Sequence, residues 1–214
     1  MTGTTGDGDD APVVAVDFDG TITRRDTLRV FLVQLGRRVE VGRAFLRHLP
    51  AIARSVQGDA LRDRAKEAVF ADILAGMHRE EADAAAAATA EAVVGSMLKA
   101  DVVDRLRWHQ DQGHRLIVVS ASFTAYVAPV VGTLGIDEVI ATRWEVDPAT
   151  DRLTGRFADG NVRGAAKVAR LEQHLGRPVR LAYAYGNSSG DTAMLAAADH
   201  PVWIRRSPIA AAPH

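Results

Sequence analysis

The sequence predicts an α/β fold, a doubly wound parallel sheet that is interrupted after its first strand by a small helical cap. Three observations predict it. A short apolar run at residues 13–18 is typical of a strand buried on both faces. Residues 27–100 then show only helical periodicity. From residue 101 onward, apolar β-branched runs alternate with helix-forming segments, which is typical of a parallel sheet covered by helices.

The individual elements follow from these periodicities. In the cap, helices are predicted at residues 28–35, 41–56, 60–74 and 80–97, and Pro50 is expected to kink or break the second. After the cap, strands are predicted at 116–120, 138–142, 181–185 and 202–204, and helices at 102–112, 126–134, 165–175 and 192–198. Residues 144–157 are predicted to form a hairpin at the edge of the sheet.

The domain organisation follows from the same pattern. A chain of 214 residues, 47% of them hydrophobic, can bury one core and carry one inserted module. The core domain is predicted at residues 12–24 and 101–206, and the cap at residues 25–100. The acidic, Gly-rich residues 1–11 are expected to be a disordered lead-in, and residues 207–214 a C-terminal tail.

Composition excludes several classes of protein. The chain has no cysteine, which excludes disulfide scaffolds, zinc–thiolate sites, iron–sulfur clusters and a cysteine nucleophile. A net charge of -1 gives no reason to expect a nucleic-acid partner. The start of the chain does not resemble a signal peptide, and no apolar run is long enough to span a membrane, so a cytoplasmic location is predicted.

Charge is unevenly distributed despite this balance. Residues 1–23 carry five aspartates and no basic residue, whereas residues 24–64 carry ten arginines against four acidic residues. Only three of the 26 basic residues are lysines, namely Lys66, Lys99 and Lys167. The arginine-rich segment is expected to draw an anionic substrate toward the protein.

The ends of the predicted strands carry the residues with the most distinctive chemistry. In a doubly wound sheet, ligands bind at the carboxyl ends of the strands. Each residue alone has an ordinary structural explanation, as a turn, a cap or a surface charge. Their order along the chain is what favours a site. Five residues lie at the end of a strand or in the loop directly after it, namely Asp17, Asp19, Ser120, Asn187 and Asp191, and Lys167 lies near the start of the predicted helix 165–175.

These residue types together predict phosphoryl chemistry. Asp17 and Asp19 are close carboxylates, which a hard divalent cation such as Mg²⁺ would hold together. Ser120 and backbone N–H groups would bind phosphoryl oxygens, and Lys167 would offset their charge. Asp17 would attack phosphorus to form an acyl phosphate. Asp19 would protonate the leaving oxygen and then activate water.

The quoted motifs resemble those of the haloacid dehalogenase (HAD) superfamily, subfamily IB, the branch that contains phosphoserine phosphatase. The family's DxDGT motif matches residues 17–21, its strand ending in Ser or Thr matches 116–120, its lysine matches Lys167, and its fourth motif matches 186–195. The resemblance covers residues 12–204. It implies a Rossmann-like core with a helical cap, Mg²⁺, and hydrolysis of a small phosphorylated metabolite through an aspartyl-phosphate.

The resemblance also implies roles for particular residues. Asp17 would be the nucleophile and Asp19 the general acid and base, while Ser120 and Ala121 would bind substrate. The implied Mg²⁺ ligands are Asp17, the backbone carbonyl of Asp19, Asn187 and Asp191. Asn187 departs from the family pattern, in which an aspartate stands at this position. The loss of a negative charge is expected to weaken metal affinity.

The cap is expected to set specificity. Asp26 stands where phosphoserine-specific relatives carry a glutamate that contacts the substrate amine, and Arg64 lies near a cap arginine that contacts its carboxylate. Asp26 is equally explained as the N-cap of the first cap helix.

Alternatives remain open. Residues 39–56, with Arg43, Arg47 and Arg54 among apolar residues, suit either a solvated helix face, which we favour, or an anionic membrane surface. If this segment contacts a membrane, the alternative function is a phospholipid head-group phosphatase. A separate alternative is an inactive phosphate- or metal-binding homologue. A signalling receiver domain also uses a strand-end aspartate, but it has no cap. A monomer or homodimer is the default expectation.

Overall fold

The structure is a computed structural model, and it describes residues 11–205 and 208–209. The predicted lead-in therefore lies outside the described residues except for Ala11, and so does the predicted tail except for residues 208–209. None of the described helices is both long and apolar enough to cross a lipid bilayer.

Five parallel strands form the central sheet. They are β1 (Val13–Val16), β2 (Arg115–Phe123), β3 (Glu138–Thr142), β6 (Leu181–Gly186) and β7 (Ala198–Trp203). Their order across the sheet is β3-β2-β1-β6-β7, and every pair is parallel. The first strand therefore lies in the middle of the sheet, where its apolar run is buried on both faces.

Helices cover both faces of this sheet. They are α6 (Ala100–Asp111), α7 (Thr124–Gly132), α8 (Ala165–Leu175) and α9 (Thr192–Ala196). Because successive strand residues point to opposite faces, Val14 and Val16 pack in one apolar cluster with α6 and α7. Val13 and Ala15 pack in the other with α8 and α9. The predicted doubly wound α/β fold is confirmed.

The cap follows the first strand. A tight helical turn at Phe18–Ile22 leads into α1 (Leu28–Gln34), α2 (Arg38–Arg47), α3 (Leu49–Arg54), α4 (Asp59–Leu74) and α5 (Arg79–Ser96). The predicted second helix is two helices, because Pro50 lies in the first turn of α3, where its missing N–H costs no hydrogen bond.

The hairpin differs from the prediction. Strands β4 (Trp144–Asp147) and β5 (Arg152–Phe157) form a separate antiparallel sheet and do not extend the edge of the central one. The hairpin packs on cap helix α4, where Gly155 approaches so closely that a Cβ atom would lie 2.9 Å from the Ala71 carbonyl oxygen. Backbone bonds between Leu153 and both Gly76 and Met77 complete this contact. The expectation of a hairpin at the edge of the central sheet is wrong, because the hairpin instead packs against the cap through these contacts.

Candidate active site

A cleft of about 730 Å³ lies between the carboxyl edge of the sheet and the cap. It is present because β1, β2 and β6 are neighbours that run in the same direction, so their carboxyl ends meet. Five of the predicted catalytic and metal-binding residues line this cleft: Asp17, Asp19, Lys167, Asn187 and Asp191.

A buried ammonium joins two of the carboxylates. Lys167 Nζ lies 2.7 Å from Asp17 Oδ1 and 2.7 Å from Asp191 Oδ1. It also donates to the Val119 carbonyl oxygen at 2.7 Å. An ammonium has three N–H groups, so Lys167 is fully satisfied. All three charged side chains are buried, and the lysine therefore holds the two carboxylates at fixed positions.

Burial and charge set the pKa values of this trio. Burial raises the pKa of Asp17 to about 6, and Lys167 only partly opposes this. Burial would raise the pKa of Asp191 as well, but the Lys167 ammonium and the Ser188 hydrogen bonds outweigh it and leave that pKa lowered. The pKa of Lys167 is raised because the two carboxylates outweigh its burial. The trio is thus a lysine cation between an ionised Asp191 and a more basic Asp17.

Asp19 has different partners. Its Oδ1 accepts hydrogen bonds from the backbone N–H and the hydroxyl of Thr27 at 2.7 and 2.6 Å, and its Oδ2 accepts one from the Ser122 hydroxyl at 2.5 Å. Burial raises the pKa of Asp19 despite these bonds. A carboxyl group that faces the cleft and holds a proton more readily than usual is suited to acid catalysis.

Two glycines allow the backbone to come close to functional side chains. Gly20 has a φ of 74°, and a Cβ atom there would lie 1.9 Å from Asn187 Nδ2. A Cβ atom on Gly186 would lie 2.5 Å from the Cβ atom of Asp191. Gly20 therefore lets the loops after β1 and β6 lie against each other, and Gly186 lets the loop after β6 fold back on itself.

The loop after β6 fixes Asp191. Its Oδ2 accepts hydrogen bonds from the backbone N–H groups of Asn187 and Ser188, at 3.1 and 2.9 Å, and from the Ser188 hydroxyl at 3.0 Å. Asp191 Oδ1 contacts Lys167 and keeps acceptor capacity on the cleft side. Both oxygens of Asp191 are thus engaged, and Oδ1 retains one lone pair that a cation could use.

The donor set suits a hard cation. Asp17 and Asp191 supply carboxylate oxygens, and Asn187 supplies an amide oxygen in the same cleft, which are the ligand types that Mg²⁺ binds. In the part of the chain that the structure describes, no group of three or more His, Cys, Asp or Glu side chains is placed to hold a metal ion. The family resemblance implies a third carboxylate ligand at the position where this chain has Asn187.

Ser120 lies deeper than the cleft. It is fully buried, and its Oγ accepts a hydrogen bond from the backbone N–H of Ser122 at 3.0 Å. Strand β2 continues past Ser120 to Phe123, and Ala121 and Ser122 line the cleft. Substrate binding by Ser120 stays a prediction. Ser122, which no sequence motif singled out, contacts Asp19 directly.

The two predicted cap residues have different positions. Asp26 lines the cleft, as predicted, and also accepts a hydrogen bond from the backbone N–H of Leu28, the first residue of α1, at 2.8 Å. The N-cap residue of α1 is Thr27, so the alternative that Asp26 is the N-cap is wrong by one position. Arg64 does not line this cleft. It lies on the opposite side of α4, beside Gly155 and Arg156 of the hairpin. The structure does not bring Arg64 to the predicted site.

Two other basic residues of α4, Arg62 and Lys66, line the cleft. Lys66 lines the cleft, and its Nζ donates to the Ala121 carbonyl oxygen at 2.5 Å and to Asn161 Oδ1 at 2.9 Å. Burial lowers the pKa of Lys66 to about 8. Lys99 also lines the cleft, and its Nζ donates to the Gly20 carbonyl oxygen at 2.6 Å. All three lysines of the chain therefore meet at this cleft.

This architecture defines an α/β enzyme with carboxylate chemistry at the carboxyl edge of its sheet. Residues 14–196 match the family described as haloacid dehalogenase-like hydrolases. The chain is also 38% identical over 193 residues to protein CicA of Caulobacter vibrioides, a match that spans 90% of this chain and 85% of CicA. The chain belongs to the haloacid dehalogenase-like hydrolases.

Solved structures agree on the fold. A protein of unknown function from Bordetella pertussis Tohama I has a TM-score of 0.75 and 25% identity, and the match covers 92% of this chain and 91% of that one. A phospho-aspartyl intermediate analogue of phosphoserine phosphatase has a TM-score of 0.59 and 18% identity, over 88% of this chain and 83% of that one. The predictions of this superfamily, of a phosphoserine phosphatase-like fold and of a hydrolytic enzyme are confirmed.

Proposed function

We propose that the protein is a Mg²⁺-dependent phosphatase that hydrolyses a small phosphomonoester through an aspartyl-phosphate on Asp17. The observation that carries this proposal is the Asp17–Lys167–Asp191 trio at the cleft. Asp17 has a carboxylate at the carboxyl end of the central strand, and Lys167 holds it in one orientation. With a pKa of about 6, Asp17 is mostly ionised at neutral pH, as a nucleophile must be.

The first step is attack on phosphorus. An oxygen of Asp17 forms a bond to phosphorus while the bond from phosphorus to the leaving oxygen breaks. Asp19 supports this step because burial raises its pKa and keeps a proton available for the leaving oxygen. The Lys167 ammonium offsets negative charge on the phosphoryl group beside it.

The second step releases phosphate. Asp19, now ionised, takes a proton from water, and the water oxygen attacks phosphorus while the bond to Asp17 breaks. The Thr27 and Ser122 hydrogen bonds keep the Asp19 carboxylate at one position through both steps. The products are an alcohol and inorganic phosphate, with Asp17 restored.

The implied Mg²⁺ would be held by oxygens of Asp17, Asn187, Asp191 and the backbone carbonyl of Asp19. When bound, the ion neutralises charge on the phosphoryl oxygens. The chain itself contributes the orientation: Asp191 is fixed by the Ser188 hydrogen bonds, and Asn187 is packed against Gly20.

The cleft favours an anionic substrate. Eight basic and five acidic side chains line it: Arg24, Arg25, Arg62, Lys66, Lys99, Arg163, Lys167 and Arg205, and Asp17, Asp19, Asp26, Asp63 and Asp191. Asp26 and Lys66 lie on the cap side of the cleft, where the alcohol part of the substrate would be bound. A small phosphorylated metabolite with charges of both signs, of which phosphoserine is one example, suits this lining. A cytoplasmic location is part of the same proposal.

A phosphatase screen tests the proposal. The purified protein is assayed with millimolar Mg²⁺ on p-nitrophenyl phosphate, phosphoamino acids, sugar phosphates, nucleotides and lipid head-group phosphates. We expect turnover that requires Mg²⁺ and that Asp17→Asn abolishes. No turnover across the whole panel would favour the inactive binding homologue.

A further inference from the structure

The outer surface of cap helices α2 and α3 exposes large apolar side chains. Among the described residues, nine large apolar side chains are more than a third exposed, and seven of them lie between residues 33 and 61. Leu46 is 69% exposed and Val56 is 79% exposed. We name five of these residues the cap apolar face: Val39, Phe45, Leu46, Leu49 and Val56.

Helix α2 turns its larger apolar side chains outward. Its inward side carries Ala44, which is buried, and Val41, which is half-buried. Val39 and Leu46, seven residues apart, share the opposite side and are both exposed. An amphipathic helix normally buries its larger apolar residues. The interior of this protein therefore does not account for the apolar residues on the outer side of α2.

Arginines surround the cap apolar face. Arg38, Arg43, Arg47 and Arg54 are all exposed, and Glu40 is the only acidic residue between positions 38 and 56. Arg47 pairs with Asp72 at 2.8 Å, yet its side chain remains 71% exposed. The surface thus combines apolar side chains with a strong excess of positive charge.

We propose that the cap apolar face docks on an anionic lipid bilayer surface. Apolar side chains on a basic helical surface bury themselves at the boundary between head groups and acyl chains. Arginine side chains at this boundary bind the lipid phosphates through bidentate hydrogen bonds. From the sequence alone, a solvated helix face was the favoured interpretation of residues 39–56 and membrane contact the alternative. The exposure of Val39 and Leu46 now favours membrane contact.

A second copy of the chain is a poorer partner for the same surface. Two copies would bring the same arginines together, and the carboxylates that each copy offers beside them are Glu40 and Asp72, the latter already paired with Arg47. Like charges across an interface repel, whereas an anionic bilayer neutralises them. None of the residues of the cap apolar face lines the catalytic cleft, so docking and hydrolysis can be measured separately.

Vesicle flotation tests the docking. The full chain is mixed with vesicles of phosphatidylcholine alone, or of phosphatidylcholine and phosphatidylglycerol in equal parts, at low salt and at moderate salt. The apolar double variant is Val39→Ser with Leu46→Ser, and the charge double variant is Arg43→Gln with Arg54→Gln. The matched controls are Val94→Ser and Arg107→Gln, which change exposed side chains on α5 and α6.

We expect binding to the anionic vesicles only, weakened by salt because screening shortens the reach of the arginines. Each double variant should lower the partition coefficient about tenfold or more, while both controls bind as the parent does. Turnover of p-nitrophenyl phosphate and the thermal midpoint should not change in the double variants, which shows that they are folded.

Three results would overturn the proposal. The first is equal binding to neutral and anionic vesicles, or none to either. The second is binding that both double variants retain. The third is a dimer in sedimentation without lipid that either double variant dissociates, which would assign the face to a second copy. An inactive chain that still binds anionic vesicles would contradict the proposed function and leave this docking intact.

Discussion

The Nζ atom of Lys167 lies 2.7 Å from Oδ1 of Asp17, a residue 150 positions earlier in the chain. The same Nζ atom lies 2.7 Å from Asp191 Oδ1, so one buried cation connects the ends of β1 and β6. Parallel neighbours in a sheet bring such distant residues together, and the helix that follows the hairpin supplies the lysine. This contact is both the electrostatic centre of the site and a structural link.

Removing the ammonium should damage both stability and activity. Lys167→Met leaves Asp17 and Asp191 buried and facing each other without a cation, which should cost roughly 3–5 kcal/mol in the free energy of unfolding. Turnover should fall at least about a hundredfold because charge on the phosphoryl group is no longer offset. Urea unfolding and steady-state kinetics measure the two effects.

A double variant separates the two causes. If Lys167→Met loses stability through carboxylate repulsion, then adding Asp191→Asn should restore part of the stability without restoring turnover. A Lys167→Met protein as stable and as active as the parent would show that the contact has neither role.

Restoring the third carboxylate should tighten metal binding. Asn187→Asp adds a negative charge among the oxygens of Asp17 and Asp191 in the cleft, so the Mg²⁺ concentration for half-maximal activity should fall several-fold. Ser189→Asp adds the same charge to the same loop outside the cleft lining and serves as the matched control. Calorimetric titration with Mg²⁺ alone checks the result without turnover. Unchanged affinity in Asn187→Asp would show that residue 187 is not a ligand.

Lys66 should affect substrate binding more than the chemical step. Lys66→Met removes a cation from the cap side of the cleft, so KM for an anionic substrate should rise about tenfold, with a smaller change in kcat. Arg64→Met removes a cation from the far side of the same helix and should leave KM unchanged. A KM that rises in Arg64→Met and stays unchanged in Lys66→Met would instead support the substrate contact that the sequence predicted for Arg64.

The pH dependence of KM gives Lys66 a second test. Its pKa is lowered to about 8 by burial, so the ammonium loses its proton as the pH rises through that value. KM of the parent should therefore increase above about pH 8, and Lys66→Arg should remove this increase because arginine stays charged.

His109 should make the protein sensitive to acid. Its ring is buried against Tyr185 Oη at 2.8 Å and His114 at 2.8 Å, and burial lowers its pKa to about 4. The unfolded state then binds more protons between about pH 4 and 6.5, so stability is full above 6.5 and falls as the pH falls, by at most about 3 kcal/mol.

Denaturation at a series of pH values measures this loss. His109→Gln should flatten the decline of the unfolding free energy between about pH 6.5 and 4, whereas His200→Gln, at an exposed position, should keep it. An identical decline in His109→Gln and the parent would assign the acid sensitivity to other groups.

The sheet and the strand-end residues followed from the sequence because both rest on local patterns. Apolar runs such as Val13–Val16 are buried wherever they lie in a parallel sheet, and chain order alone places Asp17 and Asp191 at one edge. The hairpin was misplaced because its partner is distant: Gly155 packs on Ala71 of the cap, a contact without a local signal.

The cap residues depended on the rotation of one helix. On α4, Arg62 and Lys66 are four residues apart and share a side, whereas Arg64 lies between them and points away. The sequence placed a basic residue near the cleft but could not give the rotation of the helix. Substrate binding by Ser120 stays a prediction, and the length of β2, which continues to Phe123, also brings Ser122 to the cleft.

In the proposed mechanism, Asp17 carries the phosphoryl group between the two steps. The most direct measurement is rapid acid quenching during turnover of a labelled phosphomonoester, followed by peptide mass spectrometry with and without hydroxylamine, which cleaves acyl phosphates. We expect a phosphoryl group on the peptide that contains Asp17, removed by hydroxylamine and missing in Asp17→Asn. A protein that turns over substrate with no phosphoryl group on Asp17, or with one on another residue, would contradict it.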